Sequence, residues 1–96
     1  MKYVYPAIFE KELNGYYAIS FPDLDGAYTC GQTLDEASCM AEDCMGIILC
    51  NIEENGEEVP VPSDISGFEN TEKQFVKLIS VDLDEYKKRV ANLQDE

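Results

Sequence analysis

Ninety-six residues leave room for one domain with one two-layer core and exclude two of them. No apolar run approaches the length of a membrane span, and Met1-Lys2-Tyr3-Val4-Tyr5 enters strand-like sequence without the charged and apolar regions of a signal peptide. A soluble, cytoplasmic protein is therefore expected. Seven Lys+Arg against twenty Asp+Glu leave a net charge of −13, which repels phosphate backbones and attracts cationic partners.

Residues Tyr3 to Phe9 carry apolar side chains on both parities, a strand covered on much of both faces. Pro6 has no amide donor, so the strand must there lack a neighbour or turn its donor side outward. Glu12-Leu13-Asn14-Gly15 follows as a hairpin turn, Asn-Gly tolerating positive φ, and Tyr16 to Phe21 returns antiparallel. Pro22-Asp23-Leu24-Asp25-Gly26 is a second turn, and Ala27 to Cys30 a short third strand that completes an antiparallel meander.

Thr33-Leu34-Asp35-Glu36 is a capping box that opens a long helix, with two carboxylates at its positive end. Leu34, Ala37, Ala41, Cys44, Ile48 and Ile52 share an arc of roughly 80°, extended on one side by Met45 and Leu49. Met40 and Ile47 widen it to roughly 200°, more than one sheet needs. This extra flank is expected under the following linker or in a subunit contact. Gly46 invites a close backbone approach, and Asn55-Gly56 stops the helix.

From Gly56 to Thr71, Pro60 and Pro62 favour an ordered, extended strap. Phe75 to Val81 is a fourth strand, expected to return parallel to a meander strand through a right-handed crossover. Leu83, Tyr86, Val90 and Leu93 predict a short second helix begun by Asp82 or Asp84. The expected organisation is an α+β domain over 1–82 and a short C-terminal helix or tail over 83–96.

Cys30, Cys39, Cys44 and Cys50 read as reduced thiols. Cys39 and Cys50 lie about 16 Å apart along one helix, too far to bridge, and the chain has no His and no closely paired thiols for zinc. Without His there is no ready base for a thiol nucleophile; Cys44 faces the core by periodicity and Cys39 and Cys50 the polar side. No phosphate-binding Gly-rich loop is present, and no cofactor is expected.

Four motifs carry a resemblance. Phe21-Pro22-Asp23-Leu24-Asp25-Gly26, then Thr29-Cys30-Gly31-Gln32-Thr33-Leu34-Asp35-Glu36-Ala37, then Val59-Pro60-Val61-Pro62-Ser63, then Val81-Asp82-Leu83-Asp84-Glu85-Tyr86 occur in that order. The sequence resembles the HicB antitoxins of bacterial HicAB toxin-antitoxin systems and their short HicB-like relatives. The resemblance implies a two-layer β-β-β-α-β fold, a partially degraded ribonuclease-H-like domain. It also implies a partner, a small basic HicA-like toxin that cleaves messenger RNA and is blocked by binding. No helix-turn-helix or ribbon-helix-helix sequence follows Tyr86, so promoter binding is not expected of this chain. Lys87-Lys88-Arg89, its only basic cluster, suits the end of a helix better than a DNA backbone.

A ribonuclease-H-like fold raises metal-dependent cleavage, with Asp23, Asp25, Asp35, Glu36, Glu42 and Asp43 as candidate ligands. Each has a simpler role, in a turn, in a cap or on a solvated helix face, so no catalytic or metal site is expected. The expected partner-binding residues are those of the second turn, Phe21, Pro22, Asp23, Leu24, Asp25 and Tyr28. The alternative is a solitary HicB-like protein that forms homo-oligomers through a sheet edge or the spare helix flank.

Overall fold

The computed structural model describes residues 2–64 and 70–94. The first strand, β1 (Lys2–Lys11), buries Tyr5, Ala7 and Phe9 on one parity. On the other parity Pro6 is buried while Val4 and Ile8 are more open. β2 (Tyr17–Ser20) pairs antiparallel with Ile8 to Lys11 alone, so at Pro6 the strand has a neighbour on one side only, and the missing donor leaves that ladder intact. In the hairpin loop only Gly15 takes a positive φ, of 88°. Asn14 acts through its side chain instead, its Oδ1 accepting from the Tyr16 N–H at 2.9 Å.

β3 (Tyr28–Gly31) completes the meander, and α1 (Leu34–Glu54) follows. Thr33 caps the helix, its Oγ1 accepting from the Glu36 N–H at 3.1 Å. At the other end the Gly56 N–H donates to the Glu53 carbonyl and the Glu57 N–H to that of Ile52, a Schellman stop. Ala37, Ala41, Met45, Gly46 and Leu49 are buried, whereas Leu34 is 42% exposed and Ile48 and Ile52 are half-buried. The buried face is thus rotated toward Gly46 from the one the periodicity predicts. Its cause is α2 (Leu83–Gln94), whose Tyr86 ring lies against Gly46 so closely that a Cβ there would meet ring atoms at 2.7 Å.

The fourth strand corrects an expectation. β4 (Gln74–Asp82) pairs antiparallel with β1 along its whole length, and the sheet order is β3-β2-β1-β4. α1 carries the chain about 31 Å along the sheet, and the connection then brings it back to the end where α1 started. The Lys11 N–H donates to the Lys73 carbonyl at 2.7 Å, so β4 begins beside the end of β1 and must run against it. A parallel crossover would have required β4 to start where α1 stops.

The described part of the strap is fastened to the core. Val59 packs against the core cluster, and the Tyr5 hydroxyl donates to the Pro60 carbonyl at 2.5 Å. Residues 65–69 of the expected strap lie outside the described residues. α2 is capped by Asp82, whose Oδ1 accepts from the N–H groups of Asp84 and Glu85. Leu83 and Tyr86 join the core and Val90 packs at its edge; the side chain of Leu93 lies outside the described residues.

Candidate protein-binding surface

The turn after β2 divides its residues between two tasks. The Leu24 N–H donates to the Phe21 carbonyl and the Ala27 N–H to that of Leu24, folding the segment tightly enough to bury Phe21 and Leu24. Pro22 and Asp25 are left exposed, and Tyr28 is 66% exposed at the start of β3. Asp23 is half-buried and already engaged: its carboxylate accepts from the Ser63 N–H at 2.9 Å and from the Ser63 hydroxyl. The expected site therefore presents Pro22, Asp25 and Tyr28 to solvent, anchors itself through Phe21 and Leu24, and uses Asp23 to hold the strap. No local pattern announces that last role, since the two residues are forty positions apart.

The other carboxylates do not converge. Among the described residues no three Asp, Glu, Cys or His side chains come together in a way that could hold a metal ion. Asp35, Glu36 and Glu42 are exposed on α1, and Asp43 approaches Arg89 at 4.0 Å. Cys39 is exposed as expected, but Cys50 is half-buried and packs at the core's edge, because α2 covers a flank that a lone helix would expose. Burial pushes the Cys44 and Cys50 thiols above their ordinary value, away from the nucleophilic thiolate. The basic cluster stays on the exposed side of α2, with two of its members engaged by neighbours. Lys87 Nζ donates to Glu53 Oε1 at 2.5 Å, which raises the Lys87 pKa, and the Arg89 guanidinium sits 5.7 Å from the Tyr86 ring centre.

A second surface emerges only in three dimensions. The strap residues described do not cover Met40 and Ile47, which stay 39% and 52% exposed. The described strap residues are clipped to Tyr5 and Asp23 instead. Between this flank and the outer edge of β3 runs a shallow groove of about 240 Å³, lined by Tyr28, Met40, Cys44, Ile47 and Ile48, with Asp43 at its rim. The Cys44 thiol points at the Tyr28 carbonyl, 4.0 Å away, so helix and strand edge close against each other at its floor.

Charge is distributed unevenly over the fold. From Glu12 through Glu72 the sequence has no Lys or Arg, yet it holds fourteen of the twenty carboxylates. β2, β3 and α1 all lie within that span, so every basic residue sits on β1, on β4 and its approach, or on α2. In a sheet ordered β3-β2-β1-β4, β3 and β2 therefore carry no base of their own, and the bases that reach α1 come from β4 and α2: Lys77 to Ser38, Lys87 to Glu53 and Arg89 toward Asp43. Among the described residues no helix is long and apolar enough to cross a membrane.

Comparison with known proteins places this architecture. A solved toxin-antitoxin complex from Streptococcus pneumoniae contains a chain with a TM-score of 0.77 and 31% identity, covering 90% of this chain and 73% of that one. An uncharacterised 14.9 kDa protein from the rep-hol intergenic region of Haemophilus phage HP1 is 34% identical over 83% of this chain and 62% of its own length. Antitoxin HicB 2 of Photorhabdus laumondii is 39% identical over 62% of this chain and 42% of its own length. The chain thus spans about three fifths and two fifths of these two relatives. The family model for the HicB-like antitoxin of bacterial toxin-antitoxin systems matches residues 5–94, and the chain belongs to that family.

Proposed function

We propose that this chain binds a small basic, messenger-RNA-cleaving toxin of the HicA-like kind and neutralises it by protein-protein contact, with no chemistry of its own. The observation that carries the reading is the charge partition: a family whose role is to mask a toxin here has fourteen carboxylates and no Lys or Arg in the stretch that builds β2, β3, α1 and their loops, the bases near α1 coming only from β4 and α2. A toxin that grips RNA must display a cationic surface, and such a surface meets this stretch through complementary fields that speed encounter and fix orientation. A complementary field acts over about 8 Å at physiological salt, so the acidic stretch gathers a basic partner before contact. Pro22, Asp25 and Tyr28, the exposed members of the second turn, lie in that stretch and contribute to the contact. Promoter binding is outside this reading, because the one basic cluster, Lys87-Lys88-Arg89, stands against a net charge of −13 that repels a phosphate backbone.

The test starts from the sequence flanking the gene, where this reading expects a short basic reading frame, and proceeds to co-expression with that frame. The expected result is growth arrest from that frame alone, growth restored by this chain, and a complex that purifies as one species. Arrest that persists in the presence of abundant soluble chain, with no complex recovered, refutes the reading.

A further inference from the structure

We infer that the groove between the edge of β3 and the Met40-Ile47 flank of α1 is the docking site for a cationic segment of the partner, which seats one apolar side chain between flanking Lys or Arg residues. This rests on the antitoxin reading and assigns it a surface. The floor is apolar, with Cys44 and Ile48 half-buried and Met40 and Ile47 standing open beside them. An exposed aliphatic pair next to an unpaired strand edge has no role in the core, and removing it from water favours a partner at about 25 cal/mol per Å² of apolar area.

The rim selects the sign of that partner. Glu36, Met40, Asp43, Ile47 and Glu54 recur at helical spacings of three, four and seven, so three carboxylates and the two apolar residues share one ridge of α1. Glu36 and Glu54 are exposed, and the Arg89 side chain that approaches Asp43 is as open as Asp43 itself, at 64% and 57% exposure. Such an exposed pair contributes little and yields to a competing cation. On the opposite wall Tyr28, two-thirds exposed, supplies an aromatic ring on which an arginine or lysine of the partner can stack. A second copy of this chain is disfavoured as the occupant, because the same face on both copies sets the α1 carboxylates against each other, and the α2 bases beside them, Arg89 and Lys87, are each matched by a carboxylate of their own copy.

The experiment measures binding of a purified small basic HicA-like toxin, the partner expected to be encoded beside the gene, to the full chain and two variants. Ile47→Lys places a cation in the groove; Leu78→Lys places the same cation on β4, where the side chain is 56% exposed. Both positions lie outside the core, and circular dichroism checks that both variants fold. Ile47→Lys is expected to weaken binding at least about tenfold, as loss of a central anchor does, and Leu78→Lys to leave it within about twofold. Equal weakening by both, or by neither, while the unmodified chain binds, overturns the groove and leaves the antitoxin reading standing. No binding by the unmodified chain overturns both. Analytical ultracentrifugation adds a further discriminant: self-association abolished by Ile47→Lys alone makes the groove a contact between copies and refutes the basic partner.

Discussion

Gly31 ends β3 where the strand backbone passes beneath the first turn of α1. A Cβ at this position would lie 2.5 Å from the Ala37 nitrogen, 2.6 Å from its Cα and 3.0 Å from its Cβ. Its φ lies outside the left-handed region, so alanine is conformationally permitted and recovers about 0.5–1 kcal/mol of backbone entropy. Overpacking a core costs about 1–3 kcal/mol, and the upper end applies because the atoms in the way are the backbone of a capped helix. Gly31→Ala should therefore destabilise the fold by about 2 kcal/mol. For a domain of this size that lowers Tm by about 8–16 °C, read by calorimetry and by the urea midpoint. Ala37→Gly, which removes the 3.0 Å neighbour but neither backbone atom, should not rescue it. A Tm that holds or rises in Gly31→Ala, or that recovers in the double variant, refutes the reasoning.

Gly46→Ala gains about 1 kcal/mol of helix propensity but drives a methyl into the Tyr86 ring, so α2 should loosen. The readout is faster amide exchange over 83–91 while the sheet stays protected; unchanged exchange contradicts it. Asp23→Ala breaks both bonds to Ser63 and should make the strap between 57 and 64 a preferred protease site without lowering sheet protection; an unchanged digestion pattern counts against the clasp. Burial pushes the Tyr5 and Tyr86 hydroxyls above 10.0 and the Cys44 and Cys50 thiols above 9.0. All four are stabilised in the neutral form, so their contribution is complete below the unfolded pKa values and lost as pH rises through the folded ones. The Tm should fall first as pH passes the thiol range and again above 10, and a melting temperature flat across that window contradicts the assignment.

Local chemistry was legible in the sequence, and long-range fastening was not. The Thr33 cap, the Asn55-Gly56 stop, the three-strand meander and the Asp82 cap all follow from patterns a few residues long. The direction of β4 depends on where the strap ends, which its composition does not encode. The rotation of the buried face on α1 depends on Tyr86, forty residues beyond Gly46. Within the candidate site, the sequence marked the second turn but could not divide it, since burial of Phe21 and Leu24 and the engagement of Asp23 arise from tertiary contacts. Met40 and Ile47 were visible as a surplus of apolar surface, and only the packing of β3 against α1 turned that surplus into a groove with an acidic rim.

The measurement that tests the central claim most directly is RNA cleavage in vitro by the purified basic toxin expected to be encoded beside the gene, titrated with this chain at low and high salt. Cleavage should stop near equimolar ratio, and inhibition should weaken as salt screens the acidic stretch. Cleavage that continues under a large excess of folded chain would contradict the account.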